Sequence, residues 1–418
     1  MSAPARAPEH FDALETRDPA LRERDQLARL PRQLAHAKAH APAFARLLAG
    51  VDAAAVTTRA ALAALPVTRK SELLELQQHA RPFGGLAATR WGLARRVFAS
   101  PGPIFEPEGA APDYWRMARA LFAAGFRPGD LVHNCFAYHF TPAGSMLETG
   151  AHALGCTVFP GGTGATEQQV QALAELGAVG YMGTPSFLRI ILEKADELGV
   201  ELPALTKALV SAEAFPPSLR DALAARGVHG YQAYATADLG SIAYETSARE
   251  GLVVDEGVLV EIVRPGTGTP VPDGDVGEIV VTSLYNSDYP LIRFGTGDLS
   301  AVLPGASPCG RTNMRIKGWL GRADQRTKVK GMFVDPAQVA AIVRRHPEIV
   351  AARLVVDNPD GNDRMTLHVE VPANASSRTD AIVESIRDVT KLRGDVAFHA
   401  PGELARDGKV IDDCRTYK

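Results

Sequence analysis

In the run Tyr289-Pro-Leu-Ile-Arg-Phe-Gly-Thr-Gly-Asp298-Leu, a carboxylate follows a Gly-Thr-Gly turn at the end of a strand-like stretch. A loop carboxylate can accept two hydrogen bonds from the hydroxyls of a ribose, or close an Asx-type turn on its own backbone. The local pattern leaves both open. A short distance on, Gly321-Arg322-Ala-Asp324-Gln-Arg-Thr-Lys-Val-Lys330-Gly331 stands at what reads as a domain boundary. Near the C-terminus, Arg406-Asp-Gly-Lys409-Val-Ile puts an ammonium on a glycine turn, either as a reaching cation or as a solvated tail charge. Gly161-Gly162-Thr163-Gly164-Ala165-Thr166 resembles a phosphate cradle. Thr166 and Gln169, however, form a capping-box pattern ahead of an apolar run, which predicts a strand-to-helix turn there.

These groups need elements to hold them. Residues 18–48 keep apolar side chains at helical spacing, interrupted by Pro31 and Pro42, and 1–50 reads as an N-terminal helical segment. Beyond it, Leu-Val-His-Asn-Cys-Phe, Cys-Thr-Val-Phe, Ala-Val-Gly-Tyr-Met and Lys-Ala-Leu-Val are short β-rich runs separated by helical stretches. That alternation predicts a largely parallel sheet covered by helices, with ligands at the carboxyl ends of its strands. From about Gly251 the strands follow one another without helices, which predicts an antiparallel β subdomain over 251–320. Past Gly321 a βαββαβ order predicts a small ferredoxin-like domain. The expected architecture is therefore α/β: a large N-terminal domain, 1–320, and a small α+β domain, 321–418.

Composition narrows the partners. With 418 residues, 46% apolar and 22% charged, the chain is long enough for two or three domains with a sizeable core. Lys plus Arg total 45 against 48 Asp plus Glu, a net charge of −3, so no basic footprint for nucleic acid or an anionic membrane is present. The four cysteines show no CxxC spacing, which disfavours a disulfide scaffold or a structural zinc site. No secretory signal is legible, and the longest stretch without Asp, Glu, Lys or Arg, Leu131 to Leu147, would span a membrane poorly. A cytoplasmic protein is expected.

The order of short motifs resembles the phenylacetate-coenzyme A ligase family of adenylate-forming acyl- and aryl-CoA synthetases. The matching pieces include Leu-Pro-Val-Thr-Arg-Lys-Ser-Glu-Leu, Phe-Arg-Pro-Gly-Asp, Ser-Ala-Glu-Ala-Phe-Pro, Pro-Leu-Ile-Arg-Phe-Gly-Thr-Gly-Asp-Leu and Gly-Arg-Ala-Asp-Gln-Arg-Thr-Lys-Val-Lys-Gly. The resemblance implies that a carboxylic acid and ATP form an acyl-adenylate, which coenzyme A then converts to a thioester. It implies Asp298 on the ribose, assisted by Arg322, with Ser211, Ala212, Glu213 and Ala214 along the adenine. Tyr234, Ala235 and Thr236 open the next motif, Tyr234 stacking on the base. Lys409 would serve adenylation, Asp324 would be the hinge of a swinging lid, and Gly331 would face coenzyme A. Tyr138, His139 and Phe140 are expected walls of the acyl pocket, for an aryl or arylacetic acid.

Two places depart from that family. Its Ser/Thr/Gly-rich phosphate loop ends in Lys-Pro, whereas this chain has Phe98-Ala-Ser100-Pro101-Gly102-Pro103-Ile-Phe-Glu106-Pro107. Only Ser100 and Gly102 keep a hydroxyl and an approachable amide there. Where the family has a hydroxyl followed by Glu, this chain has Thr236-Ala237-Asp238, and Asp238 is expected to hold Mg2+ with a shorter reach. No cysteine lies between Glu245 and Glu256, and no zinc is expected. Two alternatives remain open: a catalytically impaired nucleotide or acyl-adenylate binding protein, and an adenylating enzyme with a different acceptor. A homodimer is compatible with the sequence.

Overall fold

The structure, a computed structural model, describes residues 9–265, 267–323, 327–330, 332–334, 336–359, 363–372, 379–405 and 409–415. It divides into two compact units, Met1–Leu320 and Gly321–Lys418.

Prolines start the N-terminal helices. Asp18 caps Pro19–Leu27 (α1) by accepting from Leu21 N–H at 3.0 Å, and Pro31 and Pro42 stand in the first turns of Leu30–His40 (α2) and Pro42–Leu47 (α3). The missing proline N–H has no partner in a first turn anyway, so the position costs nothing. Arg59–Ala63 (α4) and Leu73–His79 (α5) flank the two-residue strand Thr68–Arg69 (β1), and Arg96–Ser100 (β2) forms a hairpin with Ile104–Glu108 (β3).

After Ala118–Ala123 (α6) the chain alternates: Leu131–Asn134 (β4), Ala143–Leu154 (α7), Thr157–Phe159 (β5), Thr166–Leu176 (α8), Gly180–Gly183 (β6), Pro185–Leu198 (α9), Lys207–Val210 (β7), Pro217–Ala225 (α10) and His229–Thr236 (β8). Helix α9 shows the local logic. Thr184 caps it, Pro185 is its first residue, and it stops at Gly199, whose φ of +66° suits a residue without Cβ. Strands β4 to β8 pair in parallel and their inner faces are buried by the crossover helices.

The region from 251 onward differs from the expected single subdomain. Gly240–Tyr244 (β9) and Leu252–Val254 (β10) follow β8 as antiparallel hairpins and so lengthen the main sheet, while Val258–Val263 (β11), Gly277–Ser283 (β12) and Phe294–Ser300 (β13) form a second one. Val302–Leu303 (β14) and Arg315–Ile316 (β15) return to the first. Among the described residues the sheets are ordered β14-β15-β10-β9-β8-β7-β6-β4-β5 and β1-β13-β12-β11, with β1 parallel to β13. A hairpin strand pairs with whichever edge it leaves, which is why chain position did not separate the two sheets.

The small unit also departs from the βαββαβ reading. Thr327–Val329 (β16) and Met332–Val334 (β17) fold back on each other as a separate hairpin, with Lys330 at a φ of +47°. Pro336–Arg345 (α11), Ala351–Asp357 (β18), Arg364–Glu370 (β19), Thr379–Thr390 (α12), Asp395–His399 (β20) and Ile411–Asp413 (β21) follow. The sheet is ordered β20-β19-β18-β21, so β21, parallel to β18, joins this sheet while the 327–334 run stays outside it. Among the described residues no helix is long and apolar enough to cross a membrane.

Candidate active site

A cleft of about 510 Å³ opens in the large unit. Ser211, Ala212, Glu213 and Ala214 line it from the segment after β7, Tyr234 and Ala235 from β8, and Asp298 from β13. Ser211 Oγ donates to the Ala233 carbonyl at 2.8 Å, tying the post-β7 segment to β8, and Ala212 turns it with a φ of +70°. Sequence motifs 64 residues apart meet here: the Tyr234 hydroxyl donates to Asp298 Oδ2 at 2.8 Å.

Several contacts hold Asp298 in place. Its N–H donates to Thr296 Oγ1 at 3.1 Å, and that hydroxyl also lies 3.2 Å from the Tyr234 oxygen. Arg293, at the head of β13, is 1% exposed; it makes two 3.0 Å hydrogen bonds to Glu261 and donates to carbonyls of Ala63, Leu65 and Gly268. A buried guanidinium so satisfied fixes the strand start from which Asp298 projects. Trp319 Nε1 donates to Asp298 Oδ1 at 3.1 Å. Trp319 and Lys317 line the cleft and were not foreseen, since no local pattern marks them.

A second cluster forms around the β2–β3 hairpin. Ser100, expected to serve phosphate, is buried; its hydroxyl donates to Glu106 Oε1 at 2.5 Å and its N–H to Oε2 at 3.3 Å. Gly102 stands exposed in the turn between the strands. Burial, and then the neighbouring Asp238 charge, push the Glu106 carboxyl up to about 8, so it holds its proton at neutral pH. Asp238 is buried too, and Lys70 Nζ donates to its Oδ2 at 2.6 Å from the turn after β1. Asp238 Oδ1 is buried without a hydrogen-bond partner. One orphaned carboxylate oxygen suits a Mg2+ ion whose remaining ligands come from phosphate and water. Thr236 Oγ1 accepts from Leu239 N–H at 3.2 Å and so shapes the turn that carries Asp238. Lys70 and Glu106 were missed as site residues; the available signals were the acid at 106, where the resembled loop has lysine, and the place of Lys70 inside the matching Leu-Pro-Val-Thr-Arg-Lys-Ser-Glu-Leu piece.

The remaining expected positions lie elsewhere. Tyr138, His139 and Phe140 follow β4, outside the cleft lining. Asn134 Nδ2 donates to the Tyr138 hydroxyl at 2.7 Å, and Phe140 is 76% exposed. The capping box at Thr166 does not form: Ala165 is the cap residue, with no side-chain cap bond. Gln169 instead donates its Nε2 to the carbonyls of Gly161, Gly162 and Gly164, and its Oε1, the oxygen a cap N–H would need, pairs with buried His133 at 2.5 Å. On the small unit, Lys409 Nζ donates to Asp412 Oδ1 at 2.8 Å and its carbonyl accepts from Arg353 at 3.3 Å. Arg322 is exposed. Asp324 and Gly331 lie outside the described residues.

A cleft in which a tyrosine and a backbone ledge of a parallel sheet meet a carboxylate, held by two donors, from a second sheet suits a nucleotide, as in enzymes of the adenylate-forming class. In agreement, the model of the AMP-binding enzyme family matches residues 113–286. The chain is 34% identical over 363 residues to phenylacetate-coenzyme A ligase of Thermus thermophilus, covering 83% of this chain and 80% of that protein. It is 31% identical over 368 residues to the enzyme of the same name from Aromatoleum evansii, covering 84% and 82%. A crystal structure of 2-hydroxyisobutyryl-CoA ligase in complex with 2-HIB-AMP and CoA superposes with a TM-score of 0.74 at 25% identity, covering 99% of this chain and 94% of that one. The chain belongs to the phenylacetate-coenzyme A ligase family, the AMP-forming acid–thiol ligases.

Proposed function

We propose that the protein is an ATP-dependent carboxylate–CoA ligase acting on an aryl or arylacetic acid such as phenylacetate. The observation that carries this reading is the cleft in which Tyr234 and Trp319 both donate to Asp298 beside the Ser211–Ala214 ledge. In the first half-reaction the substrate carboxylate attacks the α-phosphorus of ATP, an acyl-adenylate forms and pyrophosphate leaves. In the second, the coenzyme A sulfur attacks the acyl carbonyl and AMP leaves.

Asp298, oriented by its two donors, accepts from the ribose hydroxyls, and the Ser211–Ala214 backbone frames the adenine with Tyr234 against its face. Asp238 would offer Oδ1 to a Mg2+ ion carried with ATP, which supplies charge neutralisation at the phosphates. Ser100 and Gly102 belong to the same phosphate-side hairpin. Lys409 stabilises negative charge developing at the α-phosphate and Arg322 assists the ribose. Asp324 is the hinge and Gly331 admits the pantetheine chain, whose approach favours a residue without Cβ. Tyr138, His139 and Phe140 bound the acyl group. These assignments rest on the motif matches.

The test is incubation with ATP, Mg2+, coenzyme A and phenylacetate, followed by mass spectrometry. Phenylacetyl-CoA and AMP in equal amounts are expected. AMP binding without any thioester across benzoate, phenylacetate and indoleacetate would favour a nucleotide-binding protein without turnover.

A further inference from the structure

Asp298 is buried, and its two oxygens accept from side chains that are held in different ways. Tyr234 is anchored: its ring packs against the core of the large unit and its hydroxyl lies 3.2 Å from Thr296 Oγ1. Trp319 is 55% exposed, and among the described residues it joins none of the hydrophobic cores. Its indole is tied down by the hydrogen bond to Asp298 Oδ1. Its backbone, in contrast, is pinned on both sides. Lys317 N–H donates to the Ala301 carbonyl at 2.9 Å, Ser300 Oγ to the Gly318 carbonyl at 2.6 Å, and Leu320 N–H to the Leu299 carbonyl at 2.9 Å. Gly318, with a φ of +94°, makes the turn that sets the indole beside Asp298.

We propose that Trp319 is a gate on the nucleotide site: in the empty cleft its indole N–H holds Asp298 Oδ1, and an entering ribose hydroxyl displaces it while Tyr234 stays on Oδ2. The proposal rests on the reading of Asp298 as the ribose acceptor. A buried carboxylate without donors is costly, so the empty site needs a donor that can leave. A half-exposed indole on a pinned backbone meets that need. Rotation about its side-chain bonds carries the N–H to water with no movement of β13, and such rotations are fast in exposed side chains. The exchange is one hydrogen bond for another, ribose O–H for indole N–H, so occupancy depends on the difference between two donors. The ribose hydroxyls open the gate, and a ligand without them leaves the indole in place.

Calorimetry on the full chain compares AMP with dideoxyadenosine monophosphate, which keeps base and phosphate and lacks both ribose hydroxyls. Trp319→Phe keeps an aromatic ring and removes the N–H. It should bind AMP about three- to tenfold more tightly than the wild type, and the dideoxy nucleotide within about twofold. Tyr234→Phe removes the donor that stays and should bind AMP about three- to tenfold more weakly, so two donors to one carboxylate act with opposite sign. Fluorescence supplies a second readout. In Trp91→Phe the remaining tryptophans are Trp319 and Trp115, which is 1% exposed, so quenching by acrylamide reports on Trp319. AMP should increase that quenching, because the released indole turns to solvent, and the dideoxy nucleotide should leave it unchanged. Unchanged or weaker AMP binding in Trp319→Phe, an equal effect of that substitution on both nucleotides, or an indole that AMP shields from acrylamide would overturn the proposal. A wild type that does not bind AMP would remove the ribose reading and the gate together. Gated AMP binding in a protein that makes no thioester would leave the gate standing while removing the ligase reading.

Discussion

Replacing Glu106 with Gln tests the chemistry of the hairpin through stability alone. Glu106 is fully buried, with Ser100 on one oxygen and Asp238 near enough to repel its charge, and its carboxyl is pushed from the usual 4.5 to about 8. The unfolded chain gives up this proton near pH 4.5, the folded chain near 8, so between those values the native state binds more protons than the unfolded state. Stability therefore falls as pH rises through this window, and is flat below and above it. The slope contributed by one group is at most about 1.4 kcal/mol per pH unit. Glu106→Gln keeps the shape and an acceptor for Ser100 but has no proton to lose. Urea unfolding of both proteins at pH 5.5 and 7.5 cancels every other titration in the difference. The variant should gain up to about 3 kcal/mol on the wild type across that interval. A stability difference independent of pH would show that Glu106 is ionised throughout, and the neutral-hairpin argument would fall with it.

Asp298→Ala removes the acceptor that Tyr234 and Trp319 orient; AMP and ATP affinity should drop together by about 10–100-fold in calorimetry, and unchanged affinity for either would take Asp298 out of the nucleotide site. Lys409→Ala should lower adenylation by about 10²–10³-fold while thioester formation from synthetic phenylacetyl-adenylate changes far less; equal losses in single-turnover assays would contradict its assignment. Gly240 opens β9 two residues after Asp238 with a φ of +72°, and a Cβ there would sit 2.5 Å from the Trp115 carbonyl oxygen. Gly240→Ala should cost about 1–3 kcal/mol in urea unfolding, and a variant as stable as the wild type would mean the Asp238 turn is less constrained than its geometry.

What the sequence made legible was local. The β/α alternation announced the parallel sheet because each buried strand and amphipathic helix declares itself within about ten residues. Asp298 comes from β13 of the second sheet and its arrival at the cleft is not legible from chain order, whereas Ser211 follows β7 and Tyr234 lies near the end of the neighbouring β8, so the parallel sheet brings those two together. Lys70 and Asp238, by contrast, are 168 residues apart in sequence and their pairing follows from β1 lying parallel to β13, a two-residue strand too short to show a period. Trp319 lies in no motif. Gln169 satisfied every local rule for a cap, but its Oε1 is taken by His133, 36 residues away, while its Nε2 donates to loop carbonyls. The β16–β17 run has the pattern of a sheet strand, but its two halves pair with each other while β21 pairs with β18, and a choice of partner is not written in a strand's own composition.

The central claim is that this chain turns over ATP to an acyl-adenylate with an acid in the hairpin where a lysine is expected. It is tested most directly by carboxylate-dependent exchange of radiolabelled pyrophosphate into ATP in the presence of Mg2+, across phenylacetate, benzoate, indoleacetate and short fatty acids. Exchange that requires an aryl or arylacetic acid and disappears in Lys409→Ala is the predicted result. The absence of exchange with every acid, in a protein that binds AMP measurably, would contradict it.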